Sequence, residues 1–155
     1  MINLQYVFPT AIGHDFNPEL ANRILPIAHE YLNKHGTPHR SQNHITTYLS
    51  DDVHKHMIND SRLNYVYDYV IEQSKHFLFS QNIDLSKLKI SDNIFSFFAK
   101  VGKGSQHEPH SHPNSLLSAC FYLDASEDSP PIVFYDPRPY NNFVYYPMSQ
   151  NREIG

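Results

Sequence analysis

The hydrophobic positions change their period once along the chain. Up to about residue 86 they recur at helical spacing, and from about residue 87 they come in short, dense runs. Leu20, Ile24, Ile27 and Tyr31 lie three or four residues apart behind Asn17-Pro18-Glu19. That is the signature of a helix start, with Asn as the cap and Pro in the first turn. The spacing predicts a helix kinked at Pro26 and stopped by Gly36 and Pro38. A second stripe, Leu63, Val66, Tyr67, Val70, Ile71, Phe77 and Leu78, predicts a longer helix capped by Asp60 or Ser61, with a short helix over 51–59 before it. Leu4 to Phe8 reads as a short strand ended by Pro9, and His44 to Leu49 as a strand or an extended loop.

The second part is rich in Phe, Ile, Val and Tyr. Lys89-Ile90, Asn93 to Val101, Leu116 to Leu123, Pro131 to Tyr135 and Phe143 to Tyr146 read as strands. Asp124 to Pro130 and Asp136 to Asn142 read as the turns between them. Helices followed by consecutive strands predict an α+β domain with an antiparallel sheet or barrel. One domain over 1–155 is expected, helical over about 1–86 and β-rich over about 87–155, without internal repeats.

Alternation sharpens one strand. If the register runs on from His112, then Asn114, Leu116, Ser118, Cys120 and Tyr122 share its face. Leu117, Ala119, Phe121 and Leu123 share the opposite, wholly apolar face. The helices are expected to cover that apolar face from outside, leaving the polar face turned into a barrel.

Composition narrows the class. The 155 residues are 40% hydrophobic and 18% charged, which fits a globular domain with a core of its own. A net charge of −4 carries no nucleic-acid signature. No apolar run reaches the length of a membrane span, and no signal-peptide pattern opens the chain. The single cysteine, Cys120, excludes an internal disulfide and a cysteine-only zinc site. Together these give a cytoplasmic expectation. Neither the oligomeric state nor the substrate is written in the composition.

The candidate chemistry lies in Gly104 to Leu123. His110 and His112 sit two apart, and on a strand such residues point to one face roughly 6–7 Å apart at the backbone. Two imidazoles at that spacing can share a divalent metal. His107 lies three before His110, faces the other way on a continuous strand, and is set apart from the pair. The remaining histidines, His14, His29, His35, His39, His44, His54, His56 and His76, read as ordinary surface or hydrogen-bonded side chains. A metal centre needs a third ligand. Glu108 is the nearest carboxylate, while Asp124, Glu127, Asp128 and Asp136 read as solvated turn residues.

The stretch His110-Ser-His112-Pro-Asn-Ser115-Leu-Leu-Ser118-Ala-Cys-Phe-Tyr122-Leu, followed by Ile132-Val-Phe-Tyr-Asp136-Pro137-Arg138, resembles the 2-oxoglutarate- and iron(II)-dependent oxygenases. It is most similar to the branch with H-x-H-P-x-S-x-L-S-G-x-Y-Y-L and then I-x-F-x-D-P-R. The resemblance covers roughly thirty positions. It implies a double-stranded β-helix, a jelly roll holding Fe(II), with N-terminal helices packed outside. It implies His110 and His112 as metal ligands, and no catalytic side chain apart from the ligands. Tyr122 and Ser118 become candidates for holding the distal carboxylate of 2-oxoglutarate. Arg138 is a third candidate, with a structural Asp136–Arg138 turn pair as its other role. The sequence departs from many relatives in having His112 where they have an acid. The distal histidine and the arginine of the family have no counterpart before Gly155. The expectation is therefore a domain incomplete at its C-terminus that binds iron weakly and does not turn over 2-oxoglutarate alone.

Two further readings stay open at this stage. A cupin-type metal-binding barrel is suggested by Gly104 and, after five residues, His110-x-His112, although Leu116 and Leu117 stand where its glutamate belongs. A catalytically inactive structural or interaction domain is the other.

Overall fold

The computed structural model describes residues 10–50, 52, 57, 59–87 and 94–135. The strands expected at Leu4 to Phe8, Lys89-Ile90 and Phe143 to Tyr146 lie outside the described residues, as do Asp136, Arg138 and the turn they belong to. So does most of the short helix expected over 51–59, of which Met57 and Asn59 are described and helical.

Helix α1 spans Pro18–His35 and begins as its sequence dictates. The Asn17 side chain accepts the Leu20 N–H at 3.0 Å, satisfying a donor that has no partner within the helix. Glu19 in the first turn, and Lys34 and His35 in the last, suit the two ends of the helix dipole. Leu20, Ile24, Ala28 and Tyr31 form the buried stripe. The helix continues through Pro26. Proline removes the hydrogen bond to the Asn22 carbonyl, but both residues are exposed, where solvent can satisfy that carbonyl.

Gly36 ends the helix for a reason other than a left-handed turn. Its φ is −70°, within reach of any residue. A Cβ there would meet the Leu32 carbonyl oxygen at 2.2 Å and Ile45 Cγ2 at 2.6 Å. Glycine is required because the helix's own Leu32 carbonyl and the Ile45 side chain of the sheet both crowd this position.

The sheet is antiparallel, with strands ordered β1 (Thr37–His39), β2 (Ser41–Thr46) and β3 (Ala99–Val101). Arg40, with φ of 62°, makes the tight reversal between β1 and β2. Thr37 pairs with Thr46 and Pro38 with Ile45, and the register shifts before His39 pairs with Ser41. On the other side His44 faces Val101 and Thr46 faces Ala99. The pairing is continued past β3 by the Gly102 N–H donating to the Asn43 carbonyl at 2.7 Å and by the Asn43 amide donating to the Lys103 carbonyl at 3.1 Å. At the other end Thr47 and Phe98 are tied by two bonds. The Thr47 N–H donates to the Phe98 carbonyl at 2.9 Å, and the Phe98 N–H donates to Thr47 Oγ1 at 3.0 Å.

Helix α2 spans Asn64–Ser80, led in by a single 3₁₀ turn at Ser61–Leu63. Asp60 caps that turn by accepting the Arg62 N–H at 3.0 Å. The core joins Tyr31, Met57 and Leu63, with Ile27, Val66, Tyr67 and Phe98 packed against it. Polar ties close the gap between the helices. Arg62 reaches Glu30 on α1 at 2.7 Å and Asp60 at 2.7 Å, and the Tyr31 hydroxyl donates to Asp60 at 3.1 Å. The Arg23 guanidinium lies 3.8 Å from the centre of the Tyr65 ring.

From 106 to 135 the described chain forms neither helix nor strand. The runs 116–123 and 131–135 therefore carry no ladder hydrogen bonds, and the only sheet among the described residues is β1-β2-β3. Alternation still has a trace. Of the face expected to be covered, Leu117 and Leu123 are half-buried, but Ala119 and Phe121 are exposed, with the Phe121 ring 6.1 Å from Tyr69 on α2; Leu116, Ser118, Cys120 and Tyr122 are exposed as well. Among the described residues no helix is long and apolar enough to cross a membrane.

Candidate metal centre

The loop that leaves β3 carries the histidines. Gly104, with φ of +79°, and a hydrogen bond from the Ser105 N–H to the Gly102 carbonyl at 3.1 Å turn the chain back beside β2. The Ser41 and Ser105 hydroxyls then pair at 2.7 Å. A second turn, with Asn114 at φ of 65° and the Ser115 N–H on the His112 carbonyl at 3.3 Å, closes the segment just after the pair.

His110 and His112 converge. Their Nε2 atoms lie 3.1 Å apart and their ring centroids 4.8 Å apart. His110 Nδ1 lies 2.8 Å from the Glu108 carbonyl oxygen. A carbonyl only accepts, so Nδ1 carries the proton and donates. In the neutral imidazole Nε2 is then a bare lone pair, and His112 Nε2–H donates into it. This Nδ1–H to carbonyl bond is the contact that usually orients a metal-ligating histidine. A separation of 3.1 Å is one that two nitrogen ligands of a single metal ion could have. Glu108 thus acts through its backbone, and its carboxylate has no described contact with the pair.

The pair does not stand alone. The His107 ring lies 5.8 Å from His110 and packs edge-on against His44 at 4.5 Å. His44 in turn lies 5.1 Å from His39. Five imidazoles from β1, β2 and the loop form one continuous array. His44 is only 2% exposed, and its Nε2 is buried without a hydrogen-bond partner among the described residues. Burial pushes the His44 imidazole below its ordinary pKa, with His39 and Arg40 adding to the effect. Desolvation against its neighbours lowers His107 in the same direction, helped by His44, His110, His39 and Arg40.

Setting His107 apart from the pair, and treating His39 and His44 as ordinary, missed this array. A strand parity argument fails for His107 because 106–112 is a loop. The available signal was in β2. His44 and Thr46 share one face of a strand, and that face is the buried one.

The other expected site residues lie apart. Tyr122 is 57% exposed, and no described hydrogen bond or ring contact joins Ser118 or Tyr122 to the histidines. Burial, followed by the neighbouring Cys120, raises the Tyr122 phenol. Asp124, Glu127 and Asp128 are exposed, and Arg138 is outside the described residues. Among the described residues no group of three or more His, Cys, Asp or Glu side chains is placed to hold a metal ion. A surface cleft of about 340 Å³ lined by Glu30, Tyr31, Lys34, His35, Asn59, Asp60 and Arg62 contains none of the five histidines.

Comparison with protein-family models, with curated proteins and with solved structures finds no match to this chain.

Proposed function

We propose that the chain is an Fe(II)- and 2-oxoglutarate-dependent oxygenase domain in which His110 and His112 would hold the metal. The observation that carries the reading is the pair itself. Two Nε2 atoms lie 3.1 Å apart, one of them left bare by an Nδ1–H bond to the Glu108 carbonyl. A metal ion would take the place of the hydrogen bond between the two nitrogens, and the His112 proton would then move from Nε2 to Nδ1, leaving both ligands neutral imidazoles. When bound, Fe(II) with 2-oxoglutarate supplies oxygen activation and hydroxylation of a substrate C–H bond. The chain's part is to hold the two imidazoles together and to set the His110 tautomer through the Glu108 carbonyl. The residue pattern after the pair is what supports the jelly-roll reading, in which Ser118, Tyr122 and Arg138 are the candidates for holding the co-substrate. The reading requires a third ligand, and none is placed beside the pair among the described residues.

Succinate release in the presence of Fe(II), ascorbate and 2-oxoglutarate tests the reading, using both the 155-residue chain and the longest product of its natural reading frame. Release by the longer product that disappears in His110→Ala supports it. Unchanged release in His110→Ala contradicts the assignment of this ligand. Metal binding at the pair without any release in either protein favours a non-catalytic metal-binding domain, the reading favoured by the lack of a placed third ligand among the described residues.

A further inference from the structure

We propose that the open edge of β3 is an interaction surface whose partner is a second copy of this chain. The segment Pro131 to Tyr135 of that copy adds to the sheet as a fourth strand. The inference does not depend on the metal reading.

The pairing of β3 shows what its edge offers. Asn43 is bonded to Gly102 at 2.7 Å and Thr47 to Phe98 at 2.9 Å. Bonded and unbonded pairs alternate in an antiparallel ladder, so between these two Ile45 and Lys100 form the bonded pair. The N–H and C=O groups of Ala99 and Val101 therefore point away from β2, to the side where no further strand stands among the described residues. At the opposite edge the outward position is Pro38, which has no N–H to give. The side chains agree. Ala99 lies opposite Thr46 and Val101 opposite His44, so the members of each pair share a face. Thr46 and His44 are buried, whereas Ala99 and Val101 are exposed. The inner face of the sheet is covered over β2 and uncovered over β3.

Exposure and charge identify the occupant. Ile132, Val133, Phe134 and Tyr135 are consecutive strand formers, each 50–70% exposed, and none is in a ladder. A contiguous apolar surface of this kind marks an interaction segment. Residues 94–107 carry Lys100 and Lys103 and no acid, while residues 124–136 carry Asp124, Glu127, Asp128 and Asp136 and no base. Edge and run are thus opposite in charge. The edge has backbone groups to pair and a face to cover, and the run has the strand composition to do both.

Within one chain the edge and the run do not pair. A second copy meets both needs at once, and reciprocal exchange closes into a two-fold dimer with two added strands. Alternate residues of the added strand cover the face of Ala99 and Val101. These are Ile132 with Phe134 in one register and Val133 with Tyr135 in the other, so large apolar side chains reach that face either way.

The test is analytical ultracentrifugation of the full 155-residue chain between about 1 and 100 µM. The variant V133P/F134P removes a ladder N–H from the run in either register. K100E/K103E reverses the charge of the edge and E127K/D128K that of the run. All six positions are exposed, and far-UV circular dichroism checks that the variants fold. The expected result is a concentration-dependent dimer of the parent chain, with a dissociation constant raised at least about tenfold in V133P/F134P and in K100E/K103E. Combining K100E/K103E with E127K/D128K is expected to restore the dimer, because the charges are then exchanged across the contact. A parent chain that stays monomeric over the whole range would overturn the proposal, as would pairing of 131–135 within a single chain, seen as amide protection in the monomer. A dimer unaffected by V133P/F134P, or a charge-exchanged chain as weak as K100E/K103E, would overturn it as well.

Discussion

Residues 17–80 and residues 106–135 were equally rich in apparent structural signal, and only the first group forms regular elements. Helix α1 closes its own hydrogen bonds within each turn, and its cap, Asn17, is one residue from its start. Every decisive interaction is local, so the spacing of apolar residues suffices to predict it. A strand has no such independence, because each of its N–H and C=O groups needs a partner elsewhere in the chain. The runs 116–123 and 131–135 have strand composition but no neighbouring strand among the described residues. Composition reports what a segment is suited to, whereas a ladder depends on what lies beside it.

The largest effect that separates the two regions is expected in the helix core. Leu78 on α2 is 2% exposed, and Leu78→Ala is expected to cost about 2–5 kcal/mol in urea unfolding. Phe121 is 38% exposed and leans on Tyr69, so Phe121→Ala is expected to cost only about 1–2 kcal/mol. Equal losses at the two positions would mean that the apolar face at 117–123 is as well covered as the helix core. Between these lies Gly36→Ala. The added methyl meets a backbone oxygen that cannot swing away, and a loss of about 1–3 kcal/mol is expected. A neutral result would show that the helix end and β2 are less tightly apposed.

Smaller effects test the caps and charges. Asn17→Ala is expected to cost about 1 kcal/mol and to fray the start of α1 in amide exchange. Arg62 holds the Asp60 carboxyl down to about 2 from its ordinary 3.8, with the backbone N–H of Arg62 and the Tyr31 hydroxyl helping against the opposing effect of burial. The folded state therefore favours the ionised form. Its contribution is present above about pH 4 and is lost as pH falls from there through about 2. Asp60→Asn is expected to flatten the acid limb of the stability curve in that window, and an unchanged limb would remove Asp60 from the account. The lowered imidazole of His44 acts in a higher window. The folded state favours its neutral form, so stability is expected to decline as pH falls below about 6.5.

How far the sequence could be read follows the same division. The start of α1 and the stripe Leu20, Ile24 and Tyr31 were legible from neighbouring residues, whereas Asp60 caps the 3₁₀ turn that leads into α2 rather than α2 itself, whose cap Leu63 makes no side-chain bond. The position of Gly36 was legible but its reason was not, since the clash involves Ile45 from the sheet. Strand β1 was invisible, being three residues that include a proline and a histidine. His110 and His112 were legible as a candidate pair because two residues separated by one are neighbours in most extended conformations. The links to His107, His44 and His39 depend on the antiparallel placement of β2 against β3, a long-range pairing that no local pattern records. Apolar alternation misleads in β2, where the half-buried Ile45 lies between the fully buried His44 and Thr46.

The central claim is that His110 and His112 present two nitrogens to one metal, with the His110 tautomer set by the Glu108 carbonyl. Imidazole nitrogen-15 NMR of the His107→Ala chain, followed during addition of Fe(II), isolates the pair from the other histidines of the array. The account predicts that His110 carries its proton on Nδ1 before metal is added. It predicts that the Nε2 signals of His110 and His112 are the first and most strongly perturbed by Fe(II). A His110 proton on Nε2, or first perturbation at other histidines with this pair unmoved, would contradict it.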